Sequence, residues 1–291
     1  MKPYRIAVIH DQGYMSWSVR ELFRRIIELG HTPVYVRVSS MTYGTGAGGE
    51  YRLDGAIVRS LGPLPTAEEA AARLGFIRHL EASGVAVINP YPSLVLTRDK
   101  ITQLIVLSEH GIPVPETIVT WSIGAALRKI SEWGKAVLKP VIGSLGRGVI
   151  LLEDADRAYY DLARVLRSGQ PLYIQKYIEK PGRDLRIFTV GGEVLGGMYR
   201  VSTTSWKTNI AQGGTPIRAE PPEEAAELAL KAARILGLEF AGVDIAEDKD
   251  GYKVIEVNSA PLWRGFKQAT GIDPSVHIVK RLVELIDSKR G

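Results

Sequence analysis

Along the first ninety residues, short β-branched runs alternate with segments of helical period, and this alternation constrains the fold more than any other feature. Arg5 to Ile9 reads as a strand. Val19, Leu22, Phe23, Ile26 and Ile27 follow helical spacing, from a cap expected at Ser18 to a stop at Gly30. Pro33 to Val38 and Gly55 to Leu61 read as further strands, Thr66 to Ser83 as an alanine-rich helix, and Val85 to Ile88 as a fourth strand. Strands separated by helices do not close as hairpins, so a mostly parallel sheet covered by helices is expected here.

The pattern then changes twice. A helix is expected over Thr97 to His110, ending at Gly111-Ile112-Pro113-Val114-Pro115. Glu116 to Lys176 runs strand, helix, strand, glycine loop, strand, helix, strand. From Asp184 onward, two hairpins are expected, Asp184 to Arg200 and Ala241 to Asn258, with a helix from Glu223 to Leu236 between them. A chain of 291 residues, 45% hydrophobic, holds enough apolar material for several packed lobes. The expected fold is α/β with α+β lobes: an N-terminal parallel α/β domain over 1–92, a central lobe over 93–178 and a C-terminal antiparallel-sheet lobe over 179–291.

Composition excludes several classes. Cysteine is absent, which removes disulfides, thiolate metal ligands and a cysteine nucleophile. The apolar run after Met1 is too short for a signal-peptide core, and no apolar stretch reaches membrane-spanning length, so a cytoplasmic protein with no membrane partner is expected. The net charge of +5 and pI of 9.3 point to anionic small molecules or an acidic partner. Basic residues are dispersed rather than clustered, so nucleic acid is not an expected partner. A homo-oligomer is left open.

Two local patterns carry chemistry. Lys139 and Gly143-Ser144-Leu145-Gly146-Arg147-Gly148 follow a strand, and glycines at 143, 146 and 148 would let backbone N–H groups approach a polyanion. The alternative is an ordinary hairpin loop. Farther on, Lys249-Asp250-Gly251 reads as a three-residue hairpin loop, a register that sets Asp244 opposite Glu256 with Asn258 on the same face. Facing like charges call for a cation. Hard oxygen ligands select Mg²⁺ or Mn²⁺, and pairing of Asp244 with an arginine is the alternative.

Taken in order, these motifs together with Gln175-Lys176-Tyr177-Ile178, Gly182 to Arg186, Met198-Tyr199-Arg200 and Trp206-Lys207-Thr208-Asn209 resemble the ATP-grasp superfamily and its RimK-type α-L-glutamate ligase branch. The resemblance spans nearly the whole chain. It implies an ATP-dependent carboxylate–amine ligase that forms an acyl phosphate, and it implies roles for particular residues. Lys100 and Lys139 would hold the α- and β-phosphates, and the loop with Gly143, Ser144, Gly146, Arg147 and Gly148 would cover the β- and γ-phosphates. Gln175, Lys176, Tyr177 and Ile178 would hold adenine, and Asp184 and Arg186 would lie near the nucleotide. Arg200 and Asn209 would act at the γ-phosphate and acyl phosphate, and Asp244, Glu256 and Asn258 would bind two Mg²⁺ ions.

Substrates are read less directly. Trp206, Lys207 and Arg264 are candidate substrate residues, and Arg264 with Lys267 could take the carboxylates of an acidic amino acid such as glutamate, or stand as surface charges. The expected partners are a small-molecule carboxylate and an amino acid, with a small acidic carrier protein as the alternative acceptor. A reading of another class, a non-catalytic ATP-binding regulator, is opposed by the complete set of metal ligands.

Overall fold

The computed structural model describes residues 3–45, 51–62, 66–143, 146–203 and 205–290. Its first sheet takes β1 (Arg5–His10), β2 (Thr32–Val36), β3 (Gly55–Ser60) and β4 (Ala86–Ile88), parallel throughout in the order β2-β1-β3-β4. Helices α1 (Trp17–Glu28) and α2 (Ala67–Ala82) connect them. Ile6 to Ile9 have no exposed surface, as expected of a strand covered on both faces. The cap of α1 is Ser16 rather than Ser18, which is buried in the first turn.

The helix expected over 97–110 is two helices, α3 (Tyr91–Arg98) and α4 (Lys100–Glu109), broken at Asp99. Asp99 leaves the helical region, and its carboxylate accepts from the Ile101 and Thr102 N–H groups at 2.8 and 3.3 Å, capping the second helix. Lys100 therefore stands in a first turn.

The second sheet is antiparallel in the order β5-β8-β6-β7. It comprises β5 (Thr117–Thr120), β6 (Ala136–Lys139), β7 (Ile150–Leu152) and β8 (Leu172–Lys176), interleaved with α5 (Ile123–Trp133) and α6 (Ala155–Arg167). Both helices pack on one face, where Ala126, Ile130 and Leu162 meet Leu138, Leu172 and Ile174.

The third sheet orders β11 (Thr215–Ala219), β10 (Glu193–Val201), β9 (Arg183–Val190), β12 (Phe240–Asp248) and β13 (Gly251–Asn258) side by side. The period of two sorts its side chains. Leu185, Ile187, Val243 and Ile245 face α7 (Glu223–Ile235), whereas Phe188, Val190 and Phe240 join a different core. That second core is shared. The C-terminal helix α9 (Pro274–Arg290), which follows α8 (Arg264–Thr270), inserts Ile278, Val279, Leu282 and Ile286 between the third sheet and Ile6, Val8 and Ile57 of the first. Four such buried aliphatics, each contributing about 1.5–3 kcal/mol, fix the first sheet against the third. Among the described residues, no helix is long and apolar enough to cross a membrane.

The β12–β13 turn differs from its expected form. Asp248 pairs with Gly251 across a two-residue connection, one residue tighter than expected. The extra residue reappears as a bulge at Ile255, because Ile245 pairs with Val254 while Asp244 pairs with Glu256. The bulge cancels the tighter turn, so the carboxylates still face each other.

Candidate functional site

A cavity of about 590 Å³ opens where the three sheets meet. One row of the third sheet forms part of its wall. Register sets Met198 opposite Arg186, Arg186 opposite Asp244, and Asp244 opposite Glu256, so four strands each contribute one side chain to a single line. Arg200 and Asp184 form the neighbouring pair, and Asn258 follows Glu256 two residues on. All seven line the cavity.

The charges in this row are tightly coupled. Arg186 forks onto Asp244, with Nε donating to Oδ1 at 2.5 Å and Nη2 to Oδ2 at 2.6 Å. Arg200 is shared between two acids: its Nε donates to Asp184 Oδ1 at 2.6 Å, and its Nη2 lies 3.1 Å from Asp244 Oδ2. Burial works to raise the Asp244 carboxyl, but the Arg186 and Arg200 charges outweigh it and hold the group at about 2. Burial likewise works against the Arg200 charge, and Asp244 and Asp184 together reverse it, raising the guanidinium above its ordinary value. Glu256 takes a hydrogen bond from Lys100 Nζ.

The positive charge that two facing carboxylates require is thus present as Arg186, Arg200 and Lys100. No third acidic or histidine side chain joins the pair among the described residues, and Asn258 is the third oxygen-bearing group. Asn258 Nδ2 donates to the Gly242 carbonyl at 3.3 Å. Asp184, expected near the nucleotide, is committed to Arg200, Lys180 and Thr208.

The second sheet supplies the opposite wall. Lys139 ends β6, and its Nζ donates to Gln175 Oε1 at 2.5 Å, while Gln175 Nε2 reaches Thr117 Oγ1 at 3.0 Å. Burial pushes the Lys139 ammonium down to about 8, with Glu256 opposing the shift and Lys100 and Lys180 adding to it. Of the glycine loop, Gly143, Gly146 and Arg147 line the cavity, Gly148 does not, and Ser144 lies outside the described residues. Gly146 has φ +68°, and a Cβ there would sit 2.9 Å from Asn209 Oδ1, so only glycine lets the loop lie this close to Asn209.

Tyr177 and Ile178 line the same wall, where the Tyr177 ring meets Trp206 edge-on at 6.1 Å. Lys207 Nζ lies 5.5 Å from the Trp206 ring. Lys176 also borders the cavity, but its ammonium pairs with Glu116 at 2.8 Å on the surface. Arg264, the first residue of α8, borders the cavity and is exposed. Lys267, expected beside it, is elsewhere: its Nζ holds Glu21 and Asp273 at 2.8 Å each, anchoring α8 to α1.

Sequence reasoning passed over several lining residues. Lys180 donates to Thr208 Oγ1 at 2.8 Å and lies 3.3 Å from Asp184, completing the network around Arg200. Its place four residues before Asp184 was the available signal. Gln12, Arg59 and Ser60 come from the first sheet, and nothing in their local sequence marks them.

A family profile described as RimK-like ATP-grasp domain matches residues 97–282. The chain is 34% identical to the tetrahydromethanopterin:alpha-L-glutamate ligase of Methanosarcina acetivorans, over 98% of this chain and all of that protein. It is 33% identical to the alpha-aminoadipate–LysW ligase LysX of Sulfurisphaera tokodaii, over 97% of this chain and 99% of that one. Among solved structures, the ATP-grasp ligase PsnB complexed with a phosphomimetic variant of minimal precursor, Mg and ADP superposes with a TM-score of 0.79 at 22% identity, covering 97% of this chain and 98% of that one.

Proposed function

From the membership of this chain in the RimK-like ATP-grasp ligase family, we propose that it joins an acidic amino acid, glutamate or a close analogue, to a substrate carboxylate, cleaving ATP to ADP and phosphate through an acyl phosphate. The observation that carries the reading is the meeting, in one cavity, of half-buried Lys139 from the second sheet with Arg200, Asp244 and Glu256 from the third.

A carboxylate is a poor electrophile until one oxygen attacks the γ-phosphorus and ADP departs. The amine nitrogen then attacks the acyl carbon, phosphate leaves, and the amine gives up a proton. The first step needs positioning and charge neutralisation more than covalent help from the protein. Lys139 supplies a half-buried cation for the phosphate chain. Arg200, locked by Asp184 and Asp244, presents a fixed guanidinium to the transferring group, because neither acid lets it rotate away. Gly146, lying against Asn209, screens the acyl phosphate from water.

The donor set suits magnesium. Asp244 accepts three contacts out of about four lone-pair sites, which leaves one for a cation, and among the described residues Glu256 shares only with Lys100. Asp244, Glu256 and Asn258 would hold Mg²⁺, two ions in the full complement with Mn²⁺ as a substitute, and the metal supplies neutralisation of phosphate charge.

The test is ADP release measured across amino acids, with and without candidate carboxylate acceptors, followed by mass spectrometry of the product. A new amide bearing the amino acid is expected; release that never depends on an amine would sink the reading. An acidic carrier protein belongs in the same screen as a second acceptor class, because a ligase named for its carrier matches as closely as one named for a small molecule and the chain carries a charge of +5.

A further inference from the structure

Arg59 is the penultimate residue of β3, 5% exposed, and lines the cavity. Its Nη2 donates to the Pro261 carbonyl at 2.8 Å, and the guanidinium lies 4.3 Å from the centre of the buried Trp263 ring. These contacts hold the group in place but do not use it up. Among the described residues, Nε and Nη1 have no hydrogen-bond partner and no carboxylate acts on the guanidinium, which burial lowers to about 9. The acid at the same end of the sheet, Asp11, is committed elsewhere: to the Ser39 N–H at 2.6 Å, the Ser39 hydroxyl at 2.9 Å and Arg73 at 3.3 Å.

A buried guanidinium with idle donors is costly unless something completes it. The topology says where that something comes from. In the order β2-β1-β3-β4, the chain leaves β1 toward one edge and resumes at β3 on its other side, so the sheet reverses between β1 and β3. The carboxyl ends of parallel strands at such a reversal form the usual ligand crevice. Gln12 just past β1, and Arg59 and Ser60 at the end of β3, stand there and line the cavity.

We infer that Arg59 anchors a substrate carboxylate that does not itself react, at the first-sheet wall of the cavity. The ligand class is a dicarboxylate: one acid group meets the fixed donors of Arg59 while the rest of the molecule extends toward Arg200. The inference deepens the proposed ligase reading and rests on it. Either substrate could bring the carboxylate, the amino acid or the acid it is joined to.

The test is calorimetric titration of the full chain, with Mg²⁺ and a non-hydrolysable ATP analogue present, using L-glutamate for the amino-acid arm and glutarate for the acid arm. Arg59→Met is expected to weaken at least one of the two by about tenfold or more, the size of one lost charged hydrogen bond. Arg59→Lys should weaken it less, and affinity for the nucleotide analogue should stay within about twofold. The arm that falls identifies which substrate uses the anchor. Equal binding of both dicarboxylates by Arg59→Met and the unaltered chain overturns the inference, as does binding of neither by the unaltered chain. Parallel losses of nucleotide and dicarboxylate, with a lowered melting temperature, would mark a structural residue and overturn it too. Nucleotide binding is titrated separately, so failure of the ligase reading is visible on its own.

Discussion

Arg200 and Arg59 are both buried on the wall of one cavity, 4% and 5% exposed, yet they are held in opposite ways. Arg200 sits between Asp184 and Asp244, which raise its affinity for the proton. Arg59 has, among the described residues, a carbonyl and an aromatic ring, no acid, and a lowered one. Burial is the same in both places; the neighbours differ. A guanidinium completed by protein carboxylates is part of the fold's own machinery, whereas one left with idle donors is completed by what binds. The third sheet can supply such acids because antiparallel register places side chains of four strands in one row. At the end of a parallel sheet the chain leaves each strand for a connection, and the crevice so formed is open to a ligand.

The largest expected effect sharpens that contrast. Arg200→Met leaves Asp184 and Asp244 facing each other without their shared cation, and breaking a buried pair in this way costs about 3–5 kcal/mol. Urea denaturation should show a loss of that size, together with loss of ADP release. A variant as stable as the unaltered chain would mean that the network is solvated and the contrast false.

Lys139 lies between the two extremes, half-buried with an amide as its direct partner and Glu256 acting at longer range. Lys139→Ala should weaken ATP about ten- to hundredfold, the loss of one or more charged hydrogen bonds, with the fold intact. Unchanged ATP affinity by calorimetry removes Lys139 from the nucleotide site.

The same lysine predicts a pH dependence. Its folded value of about 8 lies below the usual lysine range, so the ammonium is disfavoured by folding and is lost as pH rises through 8. Nucleotide phosphates bind the protonated form, so affinity should fall up to about tenfold per pH unit above 8, and this slope should vanish in Lys139→Ala. Asp244 behaves in the reverse sense. Its stabilisation is present above the ordinary carboxyl range and is lost as pH falls from there through about 2. A flat affinity profile from pH 7.5 to 9 would contradict the lysine assignment.

Arg264 adds a third, exposed arginine to the comparison. Solvent screens it, so Arg264→Ala should raise the KM for the amino acid by no more than about fivefold, on the scale of exposed charge pairs. A larger change would make Arg264, and not Arg59, the main carboxylate anchor. The smallest expected effect is on stability at Arg59. Arg59→Met removes an uncompensated buried charge, so its melting temperature without ligands should equal or exceed that of the unaltered chain.

What the sequence alone determined was whatever depends on neighbours along the chain. The alternation of strand and helix specified the parallel first sheet, and the glycine loop, Lys139, Asp244, Glu256 and Asn258 could be picked out from local pattern and resemblance. Facing carboxylates were legible because period-two alternation and a hairpin turn almost suffice to set register. Even there a tighter turn and a bulge at Ile255 offset each other, which no local pattern announces. The tertiary structure alone decided which charge meets which. Arg200 finds Asp244 through two strand pairings, Lys267 reaches Glu21 of α1 and Asp273, and Arg59 meets Pro261 across 202 residues of chain. Electrostatic partnership falls steeply with distance in space and is indifferent to separation along the chain. A buried arginine on β3 and one on β10 therefore look alike in sequence, and only the folded contacts show that one is already satisfied and the other awaits a ligand.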